Sequence, residues 1–112
     1  MIDRQKFDET FQYFDKDVIQ DIIDLYEKEL PGRLDTIYKN ILEKDFEHLE
    51  FNAHSLKGVT GAFVDPIPAN LARQLEEIAH DQTDQDLEVI YAELKLASEA
   101  LLKELKEMKG TL

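Results

Sequence analysis

Between Asp17 and Lys44 an apolar residue returns every three or four positions, at Ile19, Ile23, Tyr26, Leu30, Leu34, Ile37 and Ile41. That spacing draws one apolar stripe down a helix and fits no strand. The stripe keeps its phase through Pro31-Gly32. Proline removes an amide donor and crowds the preceding turn, so it should bend or break a helix there. We read one long helix with a bend; a split into two is the alternative.

The rest of the chain repeats the pattern. Leu49, Ala53, Leu56, Thr60 and Phe63 form the inward face of a segment from Phe46 to about Phe63. Asp65-Pro66 then supplies an N-cap and a proline at the first helical position. Ile67 precedes Pro68 and is biased away from helix, so the start could fall two residues later. This helix turns Leu71, Leu75 and Ile78 inward and ends near Asp81. Thr83, with Asp86 three residues on, opens the last helix in a capping-box pattern. Its stripe is Leu87, Ile90, Leu94, Ala97, Leu101, Leu105 and Met108. A short piece from Asp3 to about Phe14 carries Phe7, Phe11 and Phe14 on one side. No segment alternates with period two. The expectation is an all-α fold, an antiparallel four-helix bundle with a short extra N-terminal helix, formed by residues 1–112 as a single domain.

Charge narrows the function. There are 13 Lys and Arg against 25 Asp and Glu, a net charge of −12. Nucleic acid and anionic membrane surfaces are polyanions and are poor partners for such a chain. With no cysteine, disulfides and thiolate chemistry are excluded. No apolar run approaches the roughly 18 residues that span a bilayer. The N-terminus lacks the basic and then apolar character of a signal peptide. A cytoplasmic location is expected.

Of three histidines, His48 reads as a surface residue among Glu47, Leu49 and Glu50. His80 reads as a residue of the last turn of its helix, where a partly charged imidazole suits the dipole. His54 stands apart. At about 100° per residue it lies at about 140° when the inward face of its helix centres near about 10°. Gly61 and Gly58 fall beside it at about 120° and about 180°, Lys57 flanks it at about 80°, and Phe51 is exposed at about 200°. A glycine inside a helix costs about 1 kcal/mol relative to alanine. Two on one outward ridge make sense where another molecule approaches the backbone. For Gly61, a close helix crossing is the alternative. From Phe51 to Leu75 the only formal charges are Lys57, Asp65 and Arg73, the one non-acidic window of the chain. An added anion would be held best there.

A neutral imidazole can attack phosphorus with one nitrogen while the other keeps its proton, given an acceptor that orients the ring. Glu76, 22 positions after His54 on the next helix, could come near in an antiparallel hairpin, with Arg73 one turn earlier.

Ala53-His54-Ser55-Leu56-Lys57-Gly58, with Leu75-Glu76 following, resembles a histidine-containing phosphotransfer (HPt) domain. Leu25-Tyr26-Glu27-Lys28-Glu29-Leu30-Pro31 is similar to the acidic-apolar run these domains often carry. The resemblance spans roughly Val18 to Ala79. It implies a phosphorelay intermediate in a two-component system. His54 would take the phosphoryl group through Nε2 from a histidine kinase or a receiver-domain aspartate and pass it to a response-regulator receiver domain. It implies that Lys57 stabilises the phosphoryl oxygens, that Gly58 leaves room for the partner, and that Glu76 hydrogen-bonds the other ring nitrogen. Phe51, Gly61 and Arg73 are assigned to partner binding. The chain would be a phosphoryl carrier rather than a self-sufficient catalyst. It would hold no cofactor or metal of its own, and Mg²⁺ is expected on the receiver. Two departures stand out. Val64 occupies the place, ten residues after the histidine, where the family usually has glycine, so the turn is expected to be built differently. Val59 replaces a small polar residue.

Two other readings compete. A carboxylate-bridged metal bundle would need two Glu-x-x-His motifs, and only Glu77-Ile78-Ala79-His80 is present. A helical adaptor would dock a partner through Phe51 and the His54/Gly58 face without phosphorylation.

Overall fold

The computed structural model describes residues 1–112 and contains five helices: α1 (Arg4–Phe11), α2 (Lys16–Glu43), α3 (Phe46–Ala62), α4 (Pro66–His80) and α5 (Leu87–Lys109). There is no strand. In space α2 touches α3, α3 touches α4, α4 touches α5, and α5 returns to α2. This ring of neighbours, joined by short connections, is the four-helix bundle that the stripes require. No helix is long and apolar enough to cross a membrane.

The caps explain where most elements begin. The carboxylates of Asp3, Asp45 and Asp65 accept from the backbone amides of Lys6, His48 and Ile67. Each such cap contributes about 1 kcal/mol. Asp65 does so at the start of α4, which begins at Pro66 and not two residues later. Helix α2 runs unbroken through Pro31, which lies on the exposed side. There, water can serve the Glu27 carbonyl that proline leaves without a helical partner. The split is thereby excluded.

One core cluster joins all five helices. Leu49, Ala53 and Leu56 from α3, Leu75 from α4, and Leu94 and Leu105 from α5 are fully buried. Truncating one of these leucines to alanine costs about 2–5 kcal/mol. Two polar links hold α3 in register against α2. Asn52 Nδ2 donates to Asn40 Oδ1 at 2.8 Å, and Arg33 Nη1 donates to Ser55 Oγ at 3.0 Å.

Several local expectations need correction. Helix α1 stops at Phe11, and Phe14 is exposed, resting only its edge on the Phe11 ring. Thr83 does not open the last helix. That helix begins at Leu87, after Asp86, whose left-handed backbone leaves its carboxylate without a cap bond. Lys44 pairs with Asp84 instead. Within α4 the innermost positions include Ala72 and Ala79, while Ile78 is half-buried. In α5 Ser98 is fully buried; its carbonyl accepts from Tyr26, and its hydroxyl has no partner.

The α3–α4 turn carries the clearest departure from its expected geometry. Val64 has φ 60°, in the left-handed region. Val64 N donates to Gly61 O, and Asp65 N donates to Thr60 O. These two bonds are those of a Schellman ending, the motif in which glycine usually takes the left-handed place. A β-branched residue pays of order 1 kcal/mol to sit there. The turn is thus not rebuilt. It keeps a glycine-type backbone with valine in it. Val64 O is tied to Asp3 N at 2.9 Å, and the Val64 side chain packs on the core.

Candidate functional site

His54 lies in the middle of α3 with its side chain 66% exposed, on the flank that the helical angle predicts. Its backbone is fixed from behind. Ala53 and Leu56, its neighbours on the inner face, are fully buried. The ring is held from the side by α4. His54 Nδ1 bonds Glu76 Oε2. The other carboxylate oxygen, Oε1, accepts from Lys57 Nζ at 2.6 Å. One glutamate therefore ties together the imidazole and the cation that sits one turn along α3.

Glu76 is only 18% exposed. Burial pushes its pKa up, but hydrogen bonds from Lys57 and His54, together with their charges, more than offset this and hold it below the ordinary 4.5. It is ionised at neutral pH. An ionised carboxylate only accepts hydrogen bonds, so Nδ1 must be the ring nitrogen that carries the proton. In the neutral ring Nε2 is then a bare lone pair. This arrangement can hold an imidazole in one tautomer and one orientation, with a nucleophilic nitrogen toward solvent and a positive charge nearby.

The surroundings leave room for a second molecule. A Cβ built on Gly58 or on Gly61 would meet nothing within 4 Å. No helix crosses there, so the close-crossing explanation of Gly61 falls. Phe51 is 71% exposed. With Glu47, His48, Glu50, His54 and Glu76 it lines an open hollow of about 620 Å³.

Arg73 is the sequence-derived residue that the structure does not bring to the imidazole. It donates to Asn70 and Glu77 on its own helix, and borders a separate hollow together with Lys57. Asn70 and Glu77 lie three and four positions away and reach it within one turn.

A pairing not foreseen from the sequence lies one turn from the site. His80 Nδ1 bonds Glu50 Oε2 at 2.9 Å across the same two helices. The clue was legible in principle. Glu50 precedes His54 by four, and His80 follows Glu76 by four, so an antiparallel pair that joins one couple also joins the other. His48 bonds its own cap, Asp45 Oδ2, at 2.7 Å. The donors of the Glu-x-x-His motif are engaged apart, Glu77 with Arg73 and His80 with Glu50. No three carboxylate or imidazole groups converge as metal ligands would.

A family model described as Hpt domain matches residues 21–109, from the first turns of α2 to the end of α5, so the whole site lies within it. No curated protein and no solved structure matches the chain.

Proposed function

This chain belongs to the Hpt domain family, whose members carry phosphoryl groups in two-component signalling, and on that premise we propose that His54 is the residue that carries the phosphoryl group. The observation that supports it most is the shared glutamate, which fixes Nδ1 as the protonated nitrogen and parks Lys57 beside the ring.

The step balances without moving a proton. Nε2 of the neutral ring attacks the phosphorus of an aspartyl phosphate on a receiver domain, or of a phosphohistidine on a kinase. The N–P bond forms as the donor's bond to phosphorus breaks; a receiver donor leaves as its aspartate carboxylate, a kinase donor as its neutral imidazole. The imidazole, still bearing hydrogen on Nδ1, gains positive charge, which the ionised Glu76 faces directly. Lys57 can turn from Glu76 Oε1 to the phosphoryl oxygens. A second receiver's aspartate then takes the group and the ring returns to neutral. Phosphoryl transfer asks mostly for position and charge, and the bundle supplies both. Mg²⁺ and its carboxylates come with the receiver. The chain acts as a carrier between two partners, and Gly58, Gly61 and Phe51 form the ground on which a partner rests.

Incubation with a phosphorylated receiver domain tests this. The expected product is an acid-labile phosphate on the chain, absent from His54→Gln. A folded chain that never takes up phosphate, while its receivers still bind the Phe51 face, would instead establish the adaptor reading.

A further inference from the structure

Helix α5 carries two apolar rows. Its buried residues Leu87, Leu94, Ser98, Leu101, Leu105 and Met108 lie within about 40° of Leu94 around the helix. A second row, Val89, Ala92, Leu96 and Ala100, lies on the opposite side, between about 160° and about 240° from Leu94. Its members follow one another at three, four and four positions, so they are neighbours along the surface. All four are exposed, Val89 at 60% and Leu96 at 70%. Single exposed apolar residues are ordinary, whereas a continuous row along one face marks a contact. Beside its far end, Ile67 of α4 with Ala97 and Ala100 helps to line a mostly apolar hollow of about 230 Å³. Helix α5 packs on α2 and α4 and lies diagonally across the ring from α3. The row therefore points away from His54.

We propose that a second copy of this chain covers the row, with the two α5 helices antiparallel. The row complements itself in one register. Ala92 and Leu96 are centred on Leu94, and Val89 and Ala100 are centred within one residue of it. Turning one helix end for end about that point lays each Leu96 on Ala92 of the other copy, and each Val89 beside Ala100 and its hollow. Large side chains then meet small ones, as close packing requires. Charge fixes the direction. Lys106 and Lys109 are taken by Glu27 and Asp24, but Lys103 is exposed and forms no ion pair within the chain, and the same holds for Asp86 and Glu88 near the start of the helix. Asp86 and Lys103 share the centre of the apolar couples, so the register that packs the row also sets Lys103 against Asp86 and Glu88 of the other copy. In a parallel pair Lys103 would meet Lys103 and Glu88 would meet Glu88. The contact is one helix face per copy, at or below the roughly 1,200 Å² low end of specific interfaces. A net charge of −12 on each copy also opposes it. The dimer is therefore weak and depends on concentration. It does not rest on the carrier reading, and both His54 faces stay open in it.

Sedimentation equilibrium of the full chain from about 10 μM to about 1 mM should show the mass rising from monomer toward dimer. Leu96→Glu should abolish the rise while circular dichroism shows an unchanged bundle, because that side chain lies outside the core. Lys103→Glu, which keeps the apolar row intact, should weaken the dimer several-fold and covers the case in which Leu96→Glu does not fold. The chain has no cysteine, so the single variants Val89→Cys and Ala100→Cys read the register. Mixed and oxidised, they should form the disulfide-linked heterodimer in excess. Each alone should cross-link far less, since its two copies would stand about 15 Å apart along the helix axis, beyond the reach of a disulfide. A monomer at every concentration, a dimer that survives Leu96→Glu, a dissociation constant unmoved by Lys103→Glu, or preferred homodimers of Val89→Cys would each overturn the proposal. Labelling by phosphoramidate, a small phosphoryl donor, keeps the two levels apart. His54 should label equally in wild type and Leu96→Glu, and failure in both would count against the carrier reading alone.

Discussion

His54 and His80 are held in the same way. Each offers Nδ1 to a glutamate on the opposite helix of the α3–α4 pair, and each ring is largely exposed. The surroundings differ. His54 has Lys57 on the same glutamate and Gly58 one turn on. His80 ends its helix, and no lysine or arginine bonds its glutamate. An imidazole oriented by a carboxylate is therefore a common local arrangement. On the proposed reading, what sets the His54 pair apart is a cation to meet incoming charge and bare backbone for a donor to approach.

The sharpest way to break the comparison is to remove each ring in turn. His54→Gln should abolish labelling by phosphoramidate, and His80→Gln should leave it at the wild-type rate, as counted by acid-labile phosphate. Equal loss in both would make the two rungs equivalent. The cation comes next. Lys57→Ala should slow phosphoryl acceptance by about a hundredfold, the scale for losing one preorganised charge partner of a transition state. Stopped-flow transfer from a receiver measures it, and equal rates would remove the charge from the explanation. Glu76→Ala should slow transfer by about tenfold through loss of the ring's orientation. Circular dichroism should show a folded bundle, because this side chain lies outside the apolar core.

A smaller effect sharpens the part played by bare backbone. Gly58→Ala should raise unfolding stability by about 1 kcal/mol, since alanine is the better helix former and its Cβ meets nothing. Transfer from a receiver should slow in the same variant. A gain in stability with no loss of transfer would show that no partner comes close at Gly58. The smallest effect is in pH. The folded pKa of Glu76 lies below its ordinary 4.5, so its ion pairs contribute stability that is complete above that value and lost as pH falls through the folded pKa. The difference in denaturation midpoint between wild type and Glu76→Gln should shrink as pH falls below 4.5 and through the folded pKa. A difference that grew on acidification would reverse the sign of the coupling.

The bundle was legible because its helices are amphipathic over long runs. The seven-residue stripe of α2 and the inward row of α3 appear in the fold as buried residues, residue for residue. The outward placing of His54, Phe51, Gly58 and Gly61 followed from the same periodicity, since one buried face on a straight helix fixes all others. Chain ends and turns were less legible. Thr83-x-x-Asp86 has the letters of a capping box, yet the chain there adopts left-handed geometry at Gln82 and Asp86 and delays the helix. Phe14 has the spacing of an inward residue but follows the last turn of α1. Val64 shows the converse. Its residue type argues against a left-handed backbone, and the tertiary context imposes one through the Schellman bonds and the tie to Asp3.

Sequence by itself determined which residues face the core, because that depends only on a repeat of 3.6 residues within each helix. It also determined that one imidazole stands outside, beside glycine and lysine. Which carboxylate reaches which ring was decided between helices. The burial of Leu49 and Leu56 from α3 and of Leu75 from α4 in one core, with the geometry of the Val64 turn, sets the register of α3 against α4. That register, not the spacing along the chain, gives Glu76 to His54 and Lys57 together, gives Glu50 to His80, and leaves Arg73 with Glu77.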